Sequence, residues 1–319
     1  MAETVEPDFA ARHHWLVTAE WLQNHLSHPQ VVIMDCRFAL ADPAAGQRAY
    51  SVDHIPGAHY LDLNRDLSGP VQRHGGRHPL PRPDVLAAKL TALGIRSATP
   101  LDQTLDDAVA PTLVVAYDDS RFAFAARLWW LLRYYGHDQV VVLDGGYGAW
   151  RSAGYPVTPV VPEVAQPGRF VPQLRPHWTV EISAIHQAIS QPDLPLTLID
   201  SREAERYRGE REPIDPIAGH IPGAVNYPWA EVTDASGFAQ PLEIQQQRWS
   251  NLPDQTAPDP AALASSNTAP SDTAPSDTPP VVYCGSGVTA CVNLLSLAMI
   301  GRFARLYPGS WSDWCSYLV

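Results

Sequence analysis

The chain is poor in the residues that mark several broad classes of protein. Four cysteines in 319 residues, Cys36, Cys284, Cys291 and Cys315, are too few and too scattered for a disulfide framework, and no Cys-x-x-Cys pair occurs. Were Cys284 and Cys291 on one helix, their α-carbons would lie roughly 10 Å apart, beyond disulfide reach. No histidine flanks a cysteine at zinc-finger spacing, so neither a metal site nor a cofactor is expected. Lysine and arginine total 22 against 34 acidic residues, a net charge of -12, which argues against nucleic acid or an anionic membrane as partner. No apolar run is long enough to span a bilayer. The start MAETVEPDFAARHHW has neither the apolar core of a signal peptide nor an arginine-rich transit pattern, and a cytoplasmic location is expected.

What is present is a repeat. VVIMDCR (31–37), DHIPGAHYLDL (53–63), LVVAYDD (113–119), FAFAARLWWLLRYYGH (122–137) and VVVLDGGYGAW (140–150) return as LTLIDSR (196–202), GHIPGAVNYPW (219–229), VVYCGS (281–286), VTACVNLLSLAMIG (288–301) and ARLYPGSWSDW (304–314). Asp118 stands 64 residues after His54, and Cys284 stands 64 after His220, so the cysteine of the second copy replaces an aspartate of the first. Each copy alternates β-branched runs with helical patterns, which implies an α/β fold with a parallel sheet covered by helices on both faces. Length also favours two domains. We expect them at 1–155 and 178–319, joined by a proline-studded linker over 156–177. A low-complexity insert with a doubled TAPSD, at about 251–280, reads as a mobile surface loop because it has too little apolar surface to offset the cost of ordering it.

The most informative stretch is VVYCGSGVTACVNLL (281–295). An apolar strand ends on Cys284, a glycine-rich turn follows, and Val288, Cys291, Val292, Leu295, Ala298 and Met299 then recur as one buried helix face. Ligands of parallel α/β sheets sit at the carboxyl ends of strands, where Cys284 falls. Backbone N–H groups at a helix start lack intrahelical partners and attract anions, and Gly285 and Gly287 let the loop curl so that such groups converge. A thiolate is such an anion, so Cys284 reads as a nucleophile. His54 and His220, kept in both copies with Pro56, Gly57, Pro222 and Gly223, read as turn residues whose rings bond backbone. Arg37 and Arg202 likewise read as structural, and Trp129, Trp130, Trp311 and Trp314 as packing.

Asp-x-Arg and His-Ile-Pro-Gly-Ala in both copies, the cysteine loop in the second only, and LYPGSWSDW near the end together resemble the two-domain rhodanese-type sulfurtransferases, across nearly the whole chain. The resemblance implies two tandem rhodanese-like domains, an inactive first and a catalytic second. It implies a Cys284 persulfide that passes sulfur from a small-molecule donor to a small thiol, cyanide or a thioredoxin-like protein. The loop Cys-Gly-Ser-Gly-Val-Thr is closest to the 3-mercaptopyruvate branch, since Gly285 and Ser286 stand where thiosulfate enzymes carry two cations. On this resemblance Cys284, Ser286 and His78 are catalytic, and Arg206, Gly285, Ser286, Gly287, Val288 and Thr289 bind the donor. Two positions depart from the pattern. The second carboxylate-binding arginine matches Arg211 or Arg208 only by shifting the alignment, and the aspartate that would support His78 falls on Asn64, so a relay uses Asp62 or Asp66 or goes without a carboxylate.

Three other readings stand beside this one. A phosphatase of the same fold needs an arginine six residues after the cysteine, where this chain has Ala290. A thiosulfate:cyanide sulfurtransferase would use the same cysteine with another donor. A persulfide carrier would load Cys284 without turnover and dock a partner.

Overall fold

The computed structural model describes residues 15–97, 110–191, 196–252 and 279–319. Apart from its first and last two residues, the TAPSD insert lies outside the described residues. The chain divides into two compact units. The first gathers the described residues within Met1–Val71, His78–Pro176 and Thr233–Ala239, and the second Gln72–Arg77, His177–Val232 and Gln240–Val319.

In the first unit five strands, β1 (Leu16–Val17), β2 (Val31–Asp35), β3 (Ala58–Tyr60), β4 (Leu113–Tyr117) and β5 (Val140–Leu143), form an all-parallel sheet in the order β1-β5-β4-β2-β3. Every residue of β4 and β5 is buried, which is why both read as unbroken apolar runs. The second unit repeats the arrangement with β6 (Leu198–Asp200), β7 (Val225–Asn226), β8 (Val281–Tyr283) and β9 (Arg305–Leu306), all parallel in the order β7-β6-β8-β9. A lone parallel bridge from Thr179 to Leu306 stands where β1 lies in the first unit.

The helices after the central strands, Ala125–Tyr134 and Ala290–Met299, are buried over most of their circumference, not along one stripe. Val288 just before the second helix, and Cys291, Val292 and Leu295 within it, are buried as their spacing predicts, while Ala298 and Met299 in its last turn are half-buried. The polar residues on its other side are buried as well. Asn293 donates to Ser201 Oγ (2.8 Å) and the Tyr227 carbonyl (2.7 Å), and Ser296 accepts from Trp249 Nε1 (2.7 Å), because the segment Trp229–Val232 and the helix Leu242–Trp249 cover that face. Each fully buried leucine or valine of this layer contributes about 1.5–3 kcal/mol, and the paired polar groups avoid the cost of unmet hydrogen bonds.

Both sheets carry the same clasp at their carboxyl ends. Arg37 grips Asp35 (2.7 Å) and donates to the Asp53 carbonyl (2.6 Å); Arg202 grips Asp200 (2.6 Å) and donates to the Gly219 carbonyl (2.6 Å). His54 Nδ1 lies 2.8 Å from the Tyr50 carbonyl and His220 Nδ1 lies 2.7 Å from the Tyr207 carbonyl, each ring stacked on that tyrosine at 3.9 Å. Gly57 (φ 81°) and Gly223 (φ 82°) make the left-handed turn that follows. These histidines and arginines are scaffold, as their presence in both copies predicts. Trp129, Trp130, Trp311 and Trp314 are all buried. Residues 156–176 run along the first unit, bridging at Thr158 to His54 and at Arg169 to Arg96.

Candidate active site

Register places the candidate nucleophile. β8 pairs with β6 so that Tyr283 lies beside Asp200, and the next residue, Cys284, leaves the sheet at its carboxyl edge. The loop Cys284–Thr289 then leads into the helix Ala290–Met299. A second turn clamps this loop: the Cys284 amide donates to Ser310 Oγ (3.1 Å), the Cys284 carbonyl accepts from Trp311 N (3.0 Å), and the Gly285 carbonyl accepts from Ser312 N (2.9 Å). Ser310 is held at φ 56°, a left-handed conformation that costs a non-glycine residue about 1–2 kcal/mol. Its hydroxyl gains two bonds there, accepting from Cys284 and donating to the Tyr307 carbonyl (2.9 Å). Gly287 is required twice over, by φ 75° and because a Cβ would meet the Pro308 carbonyl oxygen at 2.3 Å.

The counterpart loop in the first unit shows what this turn does to a side chain at its start. Both oxygens of Asp118 face inward and accept four backbone N–H groups: Ser120 (2.8 Å) and Phe122 (3.1 Å) on Oδ1, Phe124 (2.9 Å) and Ala125 (2.8 Å) on Oδ2. The loop is an anion cradle with the anion built in. Burial pushes the Asp118 carboxyl up, and the amides of Ala125, Ser120 and Phe124 oppose it without reversing the direction. Cys284 occupies the same place in the second unit, where it is 1 % exposed. Ser286 and Val288 are buried with it, and Thr289 is half-buried.

Gly285 leaves space for cations. A Cβ at that position would lie 3.1 Å from Arg77 Nη2 and 3.6 Å from both Nη1 and Nη2 of Arg206. Arg206, expected to hold the donor, is fixed by Glu212 (2.7 Å) and Asp215 (3.3 Å). Arg77 pairs with the other oxygen of Asp215. Glu212 also accepts from Arg202 (3.2 Å) and from the amides of Ile214 and Asp215 (3.1 Å each). Burial raises the Glu212 carboxyl, but the Arg206 bond and the two amides outweigh it and hold it below the usual range. In Asp215 burial prevails: the carboxyl is raised although Arg77 pulls it down.

Arg77, Glu212 and Asp215 escape sequence reading. Arg77 arrives on the segment Gln72–Arg77, which belongs to the second unit although it precedes it by a hundred residues. That segment is tied down by Gly75 N to Asp313 Oδ1 (2.7 Å), Arg77 N to Ser312 Oγ (3.2 Å), His74 Nδ1 to Ser316 Oγ (2.7 Å) and stacking of His74 on Tyr317 (4.1 Å). The one local signal is Gly75-Gly76, both at positive φ, where a Cβ on Gly76 would meet the Gly309 carbonyl at 2.4 Å. Arg208 and Arg211, the sequence candidates for a second donor-binding arginine, sit on the exposed surface with Glu210 (2.7 Å) and Glu205 (3.7 Å). His78 is buried in the first unit, its carbonyl accepting from Arg127 (3.2 Å). Asp62 there accepts from the amides of Asn64 (2.9 Å) and Arg65 (3.0 Å), and Asp66 pairs with Lys89 (3.1 Å) and the Asp62 amide (2.8 Å), while Asn64 is exposed.

Among the described residues no helix is long and apolar enough to cross a membrane. The rhodanese-like domain family matches residues 18–153 and 182–317. A Pseudomonas aeruginosa protein named "Probable 3-mercaptopyruvate sulfurtransferase" is 43% identical over 302 residues, 94% of each chain. "Thiosulfate/3-mercaptopyruvate sulfurtransferase 2" of Arabidopsis thaliana is 30% identical, covering 94% of this chain and 84% of the plant protein. The crystal structure of SseA from Escherichia coli, described with the rhodanese fold and the catalytic mechanism of 3-mercaptopyruvate sulfotransferases, superposes with a TM-score of 0.70 at 29% identity, covering 93% of this chain and 99% of that one.

Proposed function

The chain belongs to the rhodanese-like domain family in both halves, and we propose that it is a sulfurtransferase that moves sulfur from 3-mercaptopyruvate through a persulfide on Cys284. The observation that carries this reading is the paired loops: the turn that gathers four amides around the Asp118 carboxylate holds a cysteine in its second copy. The names of the relatives supply the donor class.

In the first half-reaction the Cys284 thiolate attacks the donor sulfur, forming an S–S bond. The carbon–sulfur bond breaks with its electron pair passing to carbon, and the resulting enolate of pyruvate takes up a proton. In the second, an acceptor thiolate attacks the outer sulfur, the S–S bond breaks, and Cys284 leaves as thiolate. No net oxidant or reductant is needed. Amides of Gly285, Ser286, Gly287, Val288 and Thr289 stabilise the anionic sulfur, and Arg206 holds the donor carboxylate. Ser286 bonds the donor carbonyl and His78 serves as proton relay. Acceptors are a small thiol, cyanide or a thioredoxin-like protein. A reducing compartment suits this chemistry and the four free cysteines, and we place the protein in the cytoplasm.

Purified protein should show a higher kcat/KM for 3-mercaptopyruvate than for thiosulfate. The opposite preference would overturn the donor assignment and favour the thiosulfate reading. Loading of Cys284 without turnover would favour a carrier.

A further inference from the structure

We propose that Arg77 is a second donor-binding residue, forming with Arg206 a two-pronged clasp for the carboxylate of the sulfur donor beside Cys284; this rests on the sulfurtransferase reading above. Each guanidinium is anchored at one end and open at the other. Arg77 spends Nη1 on Asp215, and Arg206 spends Nε and Nη2 on Glu212 and Asp215. Arg77 Nη2 and Arg206 Nη1 have no partner among the described residues, and both guanidinium heads lie against Gly285, the residue after Cys284: a Cβ built there would stand 3.1 Å from Arg77 Nη2 and 3.6 Å from both Nη1 and Nη2 of Arg206. The arginine side chains are 31 % and 12 % exposed, so a ligand can reach them, whereas the carboxylates of Asp215 and Glu212 behind them are 3 % and 4 % exposed.

Two unspent N–H groups from separate guanidinium planes, both beside Gly285, suit the two oxygens of one carboxylate. Asp215 is a positioning residue, since it touches both arginines and sets their separation. Gly285 then has a reason beyond loop curvature: a side chain there would crowd both guanidinium heads, meeting Arg77 Nη2 at 3.1 Å with its first carbon. The clasp also explains how the loop works without cations directly after the cysteine. They come from the Gln72–Arg77 segment and the stretch after β6 instead.

The test uses the full chain and two kinds of reading. Steady-state kinetics of Arg77→Gln should show a donor KM raised roughly tenfold or more, as expected for loss of a charged hydrogen bond, with the acceptor KM unchanged. Independently of sulfur transfer, the rate of Cys284 alkylation by iodoacetate relative to neutral iodoacetamide reports cations at this spot. That ratio should fall about tenfold in Arg77→Gln and in Arg206→Gln, and Arg77→Lys should retain most of it. The double variant Arg77→Gln/Asp215→Asn, which leaves no buried carboxylate short of its partner, should show the same fall with the melting temperature preserved. An unchanged ratio and unchanged donor KM in Arg77→Gln, with Arg206→Gln impaired, would overturn the proposal while leaving the sulfurtransferase reading intact. Failure of unaltered protein to accept sulfur from 3-mercaptopyruvate would instead overturn that reading, with the alkylation ratio still deciding the fate of the clasp.

Discussion

The Asp118 loop and the Cys284 loop are one backbone device put to two uses. In the first unit the anion is a carboxylate enclosed by four amides, and it ties β4 to the helix behind it. In the second the position holds sulfur, Gly287 replaces Arg121 at the left-handed position, and two arginine heads stand over the next residue. The difference teaches that the cradle by itself is structural. In the proposed mechanism, chemistry comes from the change of atom at its start and the cations beside it. Six residues after Asp200 the second unit has Arg206; six after Asp35 the first has Ala41.

The largest break in this comparison comes from removing the sulfur. Cys284→Ser should lower sulfur transfer from 3-mercaptopyruvate at least about 1000-fold with the melting temperature retained; residual turnover above that level in a donor assay would move the nucleophile elsewhere. Next come the shared clasps. Arg37→Ala and Arg202→Ala each leave a buried aspartate without its partner and should each cost about 3–5 kcal/mol in denaturant unfolding, a symmetry that a purely catalytic Arg202 would violate.

The repeat made much of this legible in advance. Strand, loop and helix order was readable because β4, β5 and β8 are short β-branched runs and because each element returns at matched spacing. Duplication also marked the scaffold, since His54, His220, Arg37 and Arg202 recur with matching bonds in both units, and it singled out Cys284, which does not recur, as the candidate. Arg77 was not legible. Its partner Asp215 lies 138 positions away, and no periodic pattern encodes a pair at that distance. Glu212 and Asp215 sit in a charged stretch that reads as surface, and only the fold reveals that three arginines bury them.

A third, smaller effect belongs to the first unit alone. His137 is buried, and burial lowers its pKa from 6.5 to about 4, with Asp138 pulling the other way. A lowered folded-state value means that the neutral ring's contribution is complete above pH 6.5 and is lost as pH falls toward 4, because the unfolded chain binds the proton first. Stability measured across that window should drop by about 3 kcal/mol through this residue, and His137→Phe should flatten that part of the profile. A drop unaltered by the substitution would assign it to other groups.

The smallest effect sharpens the comparison of loops. Asp118→Cys places a thiol among the four amides, and its ultraviolet titration should show ionisation at lower pH than the neighbouring Cys36 thiol, which burial pushes up. Such a variant still transfers no sulfur through the first unit, because no arginine stands at Ala41. Ionisation at a pH no lower than that of Cys36 would show that the cradle does not hold a sulfur anion.

The most direct test is to mix the protein with 3-mercaptopyruvate without acceptor and locate the sulfur by mass spectrometry of its peptides. One added sulfur atom per chain, on Cys284, with one pyruvate released and the mass restored by a thiol, is the predicted result. Sulfur on Cys36, Cys291 or Cys315, or pyruvate released with Cys284 unchanged, would contradict it.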